Sequence, residues 1–233
     1  CLVTQMSINL NKLIKNNPVF LAPMSGVTDL PFRSQVQNYG DNLVFSEMNA
    51  SSEMVYLLKT NKQVFQNEIF NRKNGPVAFQ IAGWDPYIMS TAASLLEERG
   101  VQIIDINMGC PAKKVVKRYA GSALMKDLSL ARDIIDSVVK ATSLPTTLKM
   151  RLGWDEDTKN APELAKIAED NGIKMITVHG RTKQQLYRGI ADWKFISKVK
   201  QNVKIPVVAN GDITCFDSAK KCLRESMADG LMV

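Results

Sequence analysis

The feature that most constrains the fold of this chain is a regular alternation of short apolar segments with longer amphipathic ones. The apolar segments are typical of strands buried on both faces, and the amphipathic segments between them are typical of surface helices. The predicted strands are Val19–Met24, Leu43–Met48, Val77–Ala82, one that begins at Ile103, Thr146–Arg151, Met175–His179, Pro206–Ala209 and Gly230–Val233. The predicted helices are Pro31–Tyr39, Ser52–Gln66, Pro86–Arg99, Leu128–Ala141, Pro162–Asn171, Trp193–Lys200 and Phe216–Arg224.

This alternation predicts a (β/α)8 TIM barrel. Strands that are separated by helices, with no hairpin signal, favour a parallel sheet, and eight such units favour its closure into a ring. A chain of 233 residues with 45% hydrophobic content suits one large domain of this kind. The alternative is an open doubly wound sheet, but that fold usually carries GxGxxG after its first strand, and we find no such loop. The last predicted strand ends the sequence, so the predicted barrel stops before an eighth helix.

Composition narrows the classes of protein to consider. Four cysteines without a CxxC pair, together with a single histidine, argue against a metal site and for free thiols in a reducing compartment. No apolar run approaches the roughly 20 residues that cross a bilayer, so we expect a cytoplasmic protein without a membrane partner. A formal charge of +7 suits a polyanionic partner such as nucleic acid, although lysines that merely solvate helix surfaces give the same balance.

Polar residues recur where the predicted strands end. In a barrel these positions converge on one mouth, which is where barrel enzymes carry their active sites. Cys110 stands out among them, because Pro111 lacks an N–H and holds the preceding residue extended, which presents a thiol at the mouth. A buried cysteine that only fills space is the alternative interpretation. The polar positions are Ser25, Glu47, Gln80, Asn107, Cys110, Lys149, Arg151, His179, Arg181, Asn210 and Asp212.

Seven motifs in consistent order resemble those of the tRNA-dihydrouridine synthases. They are Ala22–Asp29 (APMSGVTD), Ser46–Met48 (SEM), Phe79–Gly83 (FQIAG), Asp105–Pro111 (DINMGCP), Leu148–Arg151 (LKMR), Val178–Arg181 (VHGR) and Ala209–Ile213 (ANGDI). The run CPAKK at 110–114 with AGSAL at 120–124 is most similar to the bacterial B-type (DusB) branch. The resemblance covers nearly the whole chain.

The resemblance implies an FMN enzyme that reduces uridine in tRNA to 5,6-dihydrouridine. Hydride passes from the reduced flavin to C6, Cys110 donates a proton to C5, and NADPH reduces the flavin. A thiol suits this role because it is mostly protonated at neutral pH and still acidic enough to release its proton. The target uridine must also be swung out of the RNA to reach such a pocket.

The same resemblance assigns roles to individual residues. Lys149 would sit against the flavin ring and stabilise negative charge there, while Asn107 and Arg181 would recognise the uracil. Lys113 and Lys114, in a basic loop after Cys110, would contact RNA. Each assignment has a structural alternative: the polar contacts could be satisfied ends of core strands, Lys149 could be a lysine at the barrel rim, and His179 could be an ordinary packed histidine. The three tryptophans are interpreted as packing residues. The expected cofactor contacts are Pro23, Met24, Ser25, Gln80, Lys149, His179, Asn210, Gly211 and Asp212.

The sequence departs from the family pattern after Val233. The family continues with a Gly-Arg phosphate motif, an eighth helix and a C-terminal helical tRNA-binding domain, which these 233 residues lack. We therefore expect residues 1–233 to be a flavin-binding catalytic domain, monomeric, that binds FMN and tRNA weakly on its own. Titration with FMN tests this expectation. Two alternatives stay open, namely a flavin enzyme acting on a free pyrimidine, such as a dihydroorotate or dihydropyrimidine dehydrogenase, and a non-catalytic remnant.

Overall fold

The strands form one parallel sheet that curls into a ring. The structure, a computed structural model, describes residues 8–40, 42–60 and 75–233. The strands follow the order β1, β9, β8, β7, β6, β5, β4, β2, and a parallel bridge between Leu21 and Val44 joins the two ends. The predicted (β/α)8 barrel is therefore confirmed. The strands are β1 (Val19–Phe20), β2 (Val44–Phe45), β3 (Asn49–Ala50), β4 (Val77–Ala82), β5 (Ile103–Met108), β6 (Thr146–Arg151), β7 (Met175–His179), β8 (Val207–Asn210) and β9 (Gly230–Met232).

Helices connect consecutive strands along most of the chain. Several begin at an aspartate whose side chain accepts a main-chain N–H of the first turn, as Asp29, Asp85, Asp127 and Asp192 do. Of the predicted helix Ser52–Gln66, positions 61–66 lie outside the described residues. The helices are α1 (Leu10–Asn16), α2 (Leu30–Gln37), α3 (Ser51–Thr60), α4 (Pro86–Glu98), α5 (Lys113–Val116), α6 (Leu128–Ala141), α7 (Ala161–Asp170), α8 (Trp193–Asn202) and α9 (Phe216–Ser226), with a 3-10 segment at Gly121–Lys126.

The first two predicted strands are shorter than the sequence indicated. β1 ends early because Pro23 has no N–H to donate, and the chain then turns where Thr28 N–H bonds the carbonyl of Met24 at 2.9 Å. The second strand breaks at Ser46, whose hydroxyl accepts the N–H of Gln80 at 2.9 Å in place of a main-chain carbonyl. After this break the chain pairs with β4 again as β3.

Two separate apolar clusters form the core. The larger one lies between the strands and the outer helices. The smaller one lies inside the ring and includes Phe20, Ala78, Ile103 and Met175, each the first or second residue of its strand. Helix α1 adds Leu10 and Ile14 to this inner cluster, so it covers the amino-terminal end of the barrel. Helix α1 was not predicted from the sequence.

Inward-facing positions change character along each strand. Inward residues recur every second position, so Gln80 follows Ala78, Asp105 and Asn107 follow Ile103, and Asn210 follows Val208 on the same face. The inside of the ring is consequently apolar at its amino end and polar at its carboxyl end. None of the helices in residues 8–40, 42–60 and 75–233 combines the length and the hydropathy that a bilayer span requires.

Candidate active site

A chain of hydrogen bonds crosses the polar half of the barrel. The carboxylate of Asp105 accepts from Gln80 Nε2 at 2.7 Å and from Thr147 Oγ1 at 2.5 Å. The other end of the Gln80 amide, Oε1, accepts from Asn107 Nδ2 at 2.8 Å. Because Asp105 accepts hydrogen bonds, it fixes which way the Gln80 amide points, and Gln80 in turn fixes Asn107.

Asn107, the last residue of this series of hydrogen bonds, holds the main chain of Cys110. Asn107 Oδ1 accepts the main-chain N–H of Gly109 at 3.1 Å and that of Cys110 at 2.9 Å. The carbonyl of Cys110 accepts two bonds from Ser122, one from its N–H at 3.0 Å and one from its hydroxyl at 2.9 Å. The main chain of this half-buried residue is thus fixed from both sides, while its thiol is free of a disulfide.

Gly121 lets the 3-10 segment approach Cys110 closely. A Cβ at this position would lie 2.7 Å from the Cys110 carbonyl oxygen, and the residue has a φ of +61°. Both properties require glycine. On the other side Arg151 Nε donates to the carbonyl of Gly109 at 2.9 Å. The loop that carries the thiol is therefore packed rather than loose.

Asp105 is completely buried in the centre of the barrel. Burial raises the pKa of its carboxyl to about 6, against the hydrogen bonds from Gln80 and Thr147 and the positive charge of Lys149, which favour the carboxylate. At neutral pH the group is therefore an anion, and the amide and hydroxyl donors around it serve to hold that charge.

Lys149 projects into the same space from β6. Its ammonium donates to Asn210 Oδ1 at 3.0 Å, and Asn210 Nδ2 donates to the carbonyl of Met232 at 2.8 Å. Burial, followed by repulsion from Arg151, lowers the pKa of Lys149 to about 8, while Asp105 and Cys110 oppose that shift. A buried ammonium with one neutral acceptor is costly, which is typical of a group kept for function.

Two buried polar atoms on β7 have no partner within the described part of the chain. They are Thr177 Oγ1 and His179 Nδ1. Burial, together with the charges of Lys149, Arg151 and Arg181, lowers the pKa of His179 to about 2, so the imidazole is neutral at physiological pH. Buried polar groups are normally paired, so these two atoms are candidates to bond a polar ligand at this end of the barrel.

Arg181 lies across the rim rather than free in the mouth. Its Nε donates to the carbonyl of Arg188 at 3.1 Å, and its Nη2 donates to the carbonyl of Gly189 and to Asp212, both at 2.7 Å. Asp212 also accepts the N–H of Ala191 at 2.7 Å. Arg181 and Asp212 therefore tie the loop after β7 to the loop after β8, which the sequence did not indicate.

The remaining predicted residues lie around the same end. Pro23, Met24 and Ser25 form the loop after β1, which Glu47 holds by accepting the Gly26 N–H at 2.6 Å. Gly211 has a φ of +109°, and a Cβ there would lie 3.3 Å from the His179 ring. Lys113 and Lys114 are exposed on α5, directly after the loop of Cys110. All the predicted site residues thus lie at the carboxyl end of the barrel.

Three residues of this region were not predicted as site residues. Asp105 and Thr147 anchor the hydrogen-bond chain, and Thr177 offers an unpaired hydroxyl. The signal was present for all three. Each stands two positions before a predicted site residue, namely Asn107, Lys149 or His179, and so shares its inward face. Within residues 8–40, 42–60 and 75–233, no group of three or more His, Cys, Asp or Glu side chains could hold a metal ion.

A closed parallel barrel with ionisable side chains gathered at its carboxyl end defines the class of TIM-barrel enzymes. Solved structures share this fold at low sequence identity. A morphinone reductase in complex with tetrahydroNAD matches with a TM-score of 0.66 and 15% identity, over 93% of this chain and 82% of that one. A histamine dehydrogenase from Rhizobium matches with a TM-score of 0.65 and 12% identity, over 93% and 43% of the two chains.

The sequence comparisons give the family. The model of the dihydrouridine synthase (Dus) family matches residues 20–233. A protein from Rickettsia conorii named probable tRNA-dihydrouridine synthase is 52% identical over 97% of this chain and 68% of its own length. tRNA-dihydrouridine synthase B from Pasteurella multocida is 46% identical over 93% of this chain and 64% of its own length. The chain belongs to the dihydrouridine synthase family, a family of oxidoreductases, which confirms the resemblance found in the sequence.

Proposed function

We propose that this chain is an FMN-dependent tRNA-dihydrouridine synthase. The observation that carries the proposal is the grouping of a buried ammonium, a neutral imidazole and a thiol at the carboxyl end of the barrel. Cys110 acts on the pKa of Lys149, and the charge of Lys149 lowers the pKa of His179, so Lys149 lies within electrostatic reach of both other side chains. Family membership supports dihydrouridine synthesis, and its named relatives act on tRNA.

The residues present at this end fit a flavin mononucleotide. The unpaired Thr177 Oγ1 and His179 Nδ1 are buried polar atoms that a polar ring system could satisfy. Lys149 is a cation suited to the electron-rich pyrimidine side of the flavin. Gly211 brings main chain close to the His179 ring where a side chain would not fit without movement. When bound, FMN is reduced by NADPH and supplies the hydride that adds to C6 of the uracil.

We assign the cofactor contacts as follows. The main chain of Pro23, Met24 and Ser25 passes beside the ring, and Gln80 reaches it with its remaining amide donor. Asn210, Gly211 and Asp212 belong to the phosphate side. Asp212 would bring a negative charge there, and its pair with Arg181 at 2.7 Å offsets that charge.

The proposed acid is Cys110, which delivers a proton from Sγ to C5 of the uracil. General acids need a fixed position as much as a suitable acidity, and the bonds from Asn107 and Ser122 supply that position. Asn107 is also the proposed uracil contact. Its Oδ1 already accepts two main-chain N–H groups and one Nδ2 hydrogen bonds to Gln80, so the second Nδ2 hydrogen is the part available to a base carbonyl.

Arg181 is the second proposed uracil contact. Its Nε and Nη2 donors are used by the two loops, so its Nη1 group, which has no acceptor among the described residues, would face the base. The exposed Lys113 and Lys114 beside the Cys110 loop would contact RNA phosphates. Those two lysines favour tRNA over a free pyrimidine as the substrate. In this proposal residues 1–233 provide the flavin-binding catalytic domain.

The test is a comparison of substrates. We expect the purified chain, supplied with FMN and NADPH, to form dihydrouridine in an unmodified tRNA transcript and to leave free uridine unchanged. Raising the salt from about 50 to about 200 mM should suppress the tRNA reaction steeply, since phosphate contacts release counterions. Turnover of dihydroorotate or another free pyrimidine at a comparable rate, with no dependence on salt, would contradict the proposal.

A further inference from the structure

Two lysines from different loops lie against one tryptophan ring. Lys126 Nζ is 4.8 Å from the centroid of the Trp154 ring, and Lys183 Nζ is 4.3 Å from it. Lys126 ends the 3-10 segment after β5, Trp154 follows β6 and Lys183 follows β7. All three residues therefore belong to consecutive loops at the carboxyl end of the barrel, on the same rim as the candidate active site.

The two ammonium groups repel each other in this arrangement. Given their distances from one ring, they are closer together than the Debye length of about 10 Å at 0.1 M salt. Asp155 accepts hydrogen bonds from Thr158 and Glu156 pairs with Lys159 at 2.6 Å, and neither acid forms an ion pair with Lys126 or Lys183. Within the described residues neither Lys126 nor Lys183 forms an ion pair. The faces of Trp154 attract both cations and hold them together in spite of the repulsion.

Trp154 is itself held firmly. Its carbonyl accepts the N–H of Gln184 at 2.9 Å, and the carbonyl of Gly153 accepts the N–H of Lys183 at 2.9 Å. A Cβ on Gly153 would lie 2.3 Å from the carbonyl oxygen of Thr158, so the main chain is packed on both sides of this loop. The indole is only half-buried, and its attraction to two cations makes it a support for them rather than a platform for a base.

We propose that Lys126 and Lys183, held by Trp154, form a clamp for backbone phosphate of the tRNA substrate. The proposal rests on the function proposed above and extends the contact surface beyond Lys113 and Lys114. Two fixed cations with no acidic partner match a phosphate diester, which carries one negative charge at each step of a nucleic acid chain. The clamp would fix the position of the RNA on the rim while the target base enters the mouth.

The test compares tRNA affinity in variants of equal charge. Lys126→Gln with Lys183→Gln should weaken binding of an unmodified tRNA transcript by on the order of 10-fold at 0.1 M salt, and should lower the slope of log affinity against log salt by about 2. The matched control is Lys174→Gln with Lys204→Gln, two exposed lysines that precede β7 and β8 at the opposite end of the barrel. It should change neither quantity appreciably. Equal losses in the two double variants would overturn the clamp.

Trp154 is tested without changing the charge. Trp154→Leu should lower tRNA affinity several-fold because it releases both lysines, whereas Trp154→Phe, which keeps an aromatic face, should restore most of it. Equal affinities for the two variants would contradict a supporting role for the ring. Dihydrouridine formation by the wild-type chain is measured in parallel. If the wild-type chain forms dihydrouridine and the double variant at Lys126 and Lys183 binds tRNA as tightly as the wild type, the clamp is wrong and the proposed function stands. If the wild-type chain neither binds nor reduces tRNA, the proposed function fails together with the clamp.

Discussion

The two ends of the barrel interior are built from the same strands and do opposite things to stability. At the amino end Phe20, Ile103 and Met175 pack with α1 in an apolar cluster. At the carboxyl end, two or four positions further along the strands, the interior holds Asp105, Lys149 and other polar groups. Burial shifts the pKa of Asp105 upward and that of Lys149 downward, so each charge is held against its desolvation cost.

This difference predicts which substitutions should affect stability and which should affect catalysis. Removing apolar atoms at the amino end should lower the free energy of unfolding and leave catalysis unchanged, because that end only closes the ring. Removing charged atoms at the carboxyl end should cost chemistry and spare stability, because perturbed ionisable groups are kept for function. The predictions below test the two halves of this statement.

The largest expected effect is on folding at the amino end. Phe20→Ala should lower the free energy of unfolding by about 3 to 5 kcal/mol, since the side chain is 1% exposed and leaves a cavity among packed neighbours. Val19→Ala, on the same strand but 38% exposed, is the control and should change it by less than about 1 kcal/mol. Urea unfolding measures both. The assignment of the amino end to stability would be contradicted if Phe20→Ala kept its free energy of unfolding but formed less dihydrouridine per folded molecule.

The carboxyl end should respond in the opposite way. Lys149→Met removes the buried ammonium, so dihydrouridine formation should fall by on the order of 10² to 10³, the usual effect of losing a preorganised charge. The free energy of unfolding should change little, because the desolvation cost that is removed with the ammonium offsets the lost attraction to Asp105. Lys174→Met, an exposed lysine at the amino end, should leave both quantities as they are. A Lys149→Met variant that is less stable than the wild type but fully active would contradict the assignment of the carboxyl end to catalysis.

Two substitutions at Asp105 distinguish the effect of its charge from the effect of its hydrogen bonds. Asp105→Leu removes the acceptor for Gln80 and should lower product formation about 10- to 100-fold, equivalent to about 1 to 3 kcal/mol. Asp105→Asn keeps an acceptor for Gln80 and a donor for Thr147, so it should retain most of the rate.

The asparagine variant should still change the pH profile. Asp105 and Cys110 raise the pKa of Lys149, while Arg151 opposes them and the neutral His179 adds no charge. Without the carboxylate the ammonium should lose its proton at lower pH, so the alkaline limb of the pH–rate profile, near pH 8 in the wild type, should move down. A profile that is the same in both variants and the wild type would remove Asp105 from the site.

The smallest effect concerns His179 and acid. Its pKa is lowered from 6.5 to about 2 by burial and neighbouring cations, so the folded protein takes up no proton where the unfolded chain does. The stability from the neutral imidazole is present above pH 6.5 and is lost as the pH falls below it. Relative to His179→Gln, the wild type should therefore lose about 1 kcal/mol between pH 7 and pH 5.5. Parallel unfolding curves for the two proteins would argue against a neutral buried imidazole.

Much of the barrel could be predicted from the sequence, and specific residues show why the remainder could not. The strand from Ile103 and the segment Thr146–Arg151 were recognisable because each combines β-branched residues with alternating apolar side chains between clear turns. The second strand breaks after Phe45 because the Ser46 hydroxyl accepts the N–H of Gln80, a tertiary contact, whereas the early end of β1 follows from Pro23, which the sequence shows. Helix α1 is a short amphipathic segment, and packing against the inner cluster stabilises it more than its own sequence does.

The candidate site shows the same limit. Strand-end positions predicted which residues reach the mouth, because the carboxyl ends of parallel strands meet there. The partners of those residues were not predictable, since Arg181 bonds to a loop and Gln80 bonds to Asp105, a residue outside the predicted set. Register between strands decides those contacts, and a single sequence does not contain the register.

The central claim is that the thiol at the carboxyl end donates a proton to a base in tRNA. The direct measurement follows flavin reduction by NADPH and dihydrouridine formation in the same reaction, for the wild type and for Cys110→Ala, with Cys222→Ala as a control thiol buried in the outer core. The account predicts equal rates of flavin reduction in all three proteins and a loss of product of on the order of 10² to 10⁴ in Cys110→Ala alone. Equal product from Cys110→Ala and the wild type would contradict it.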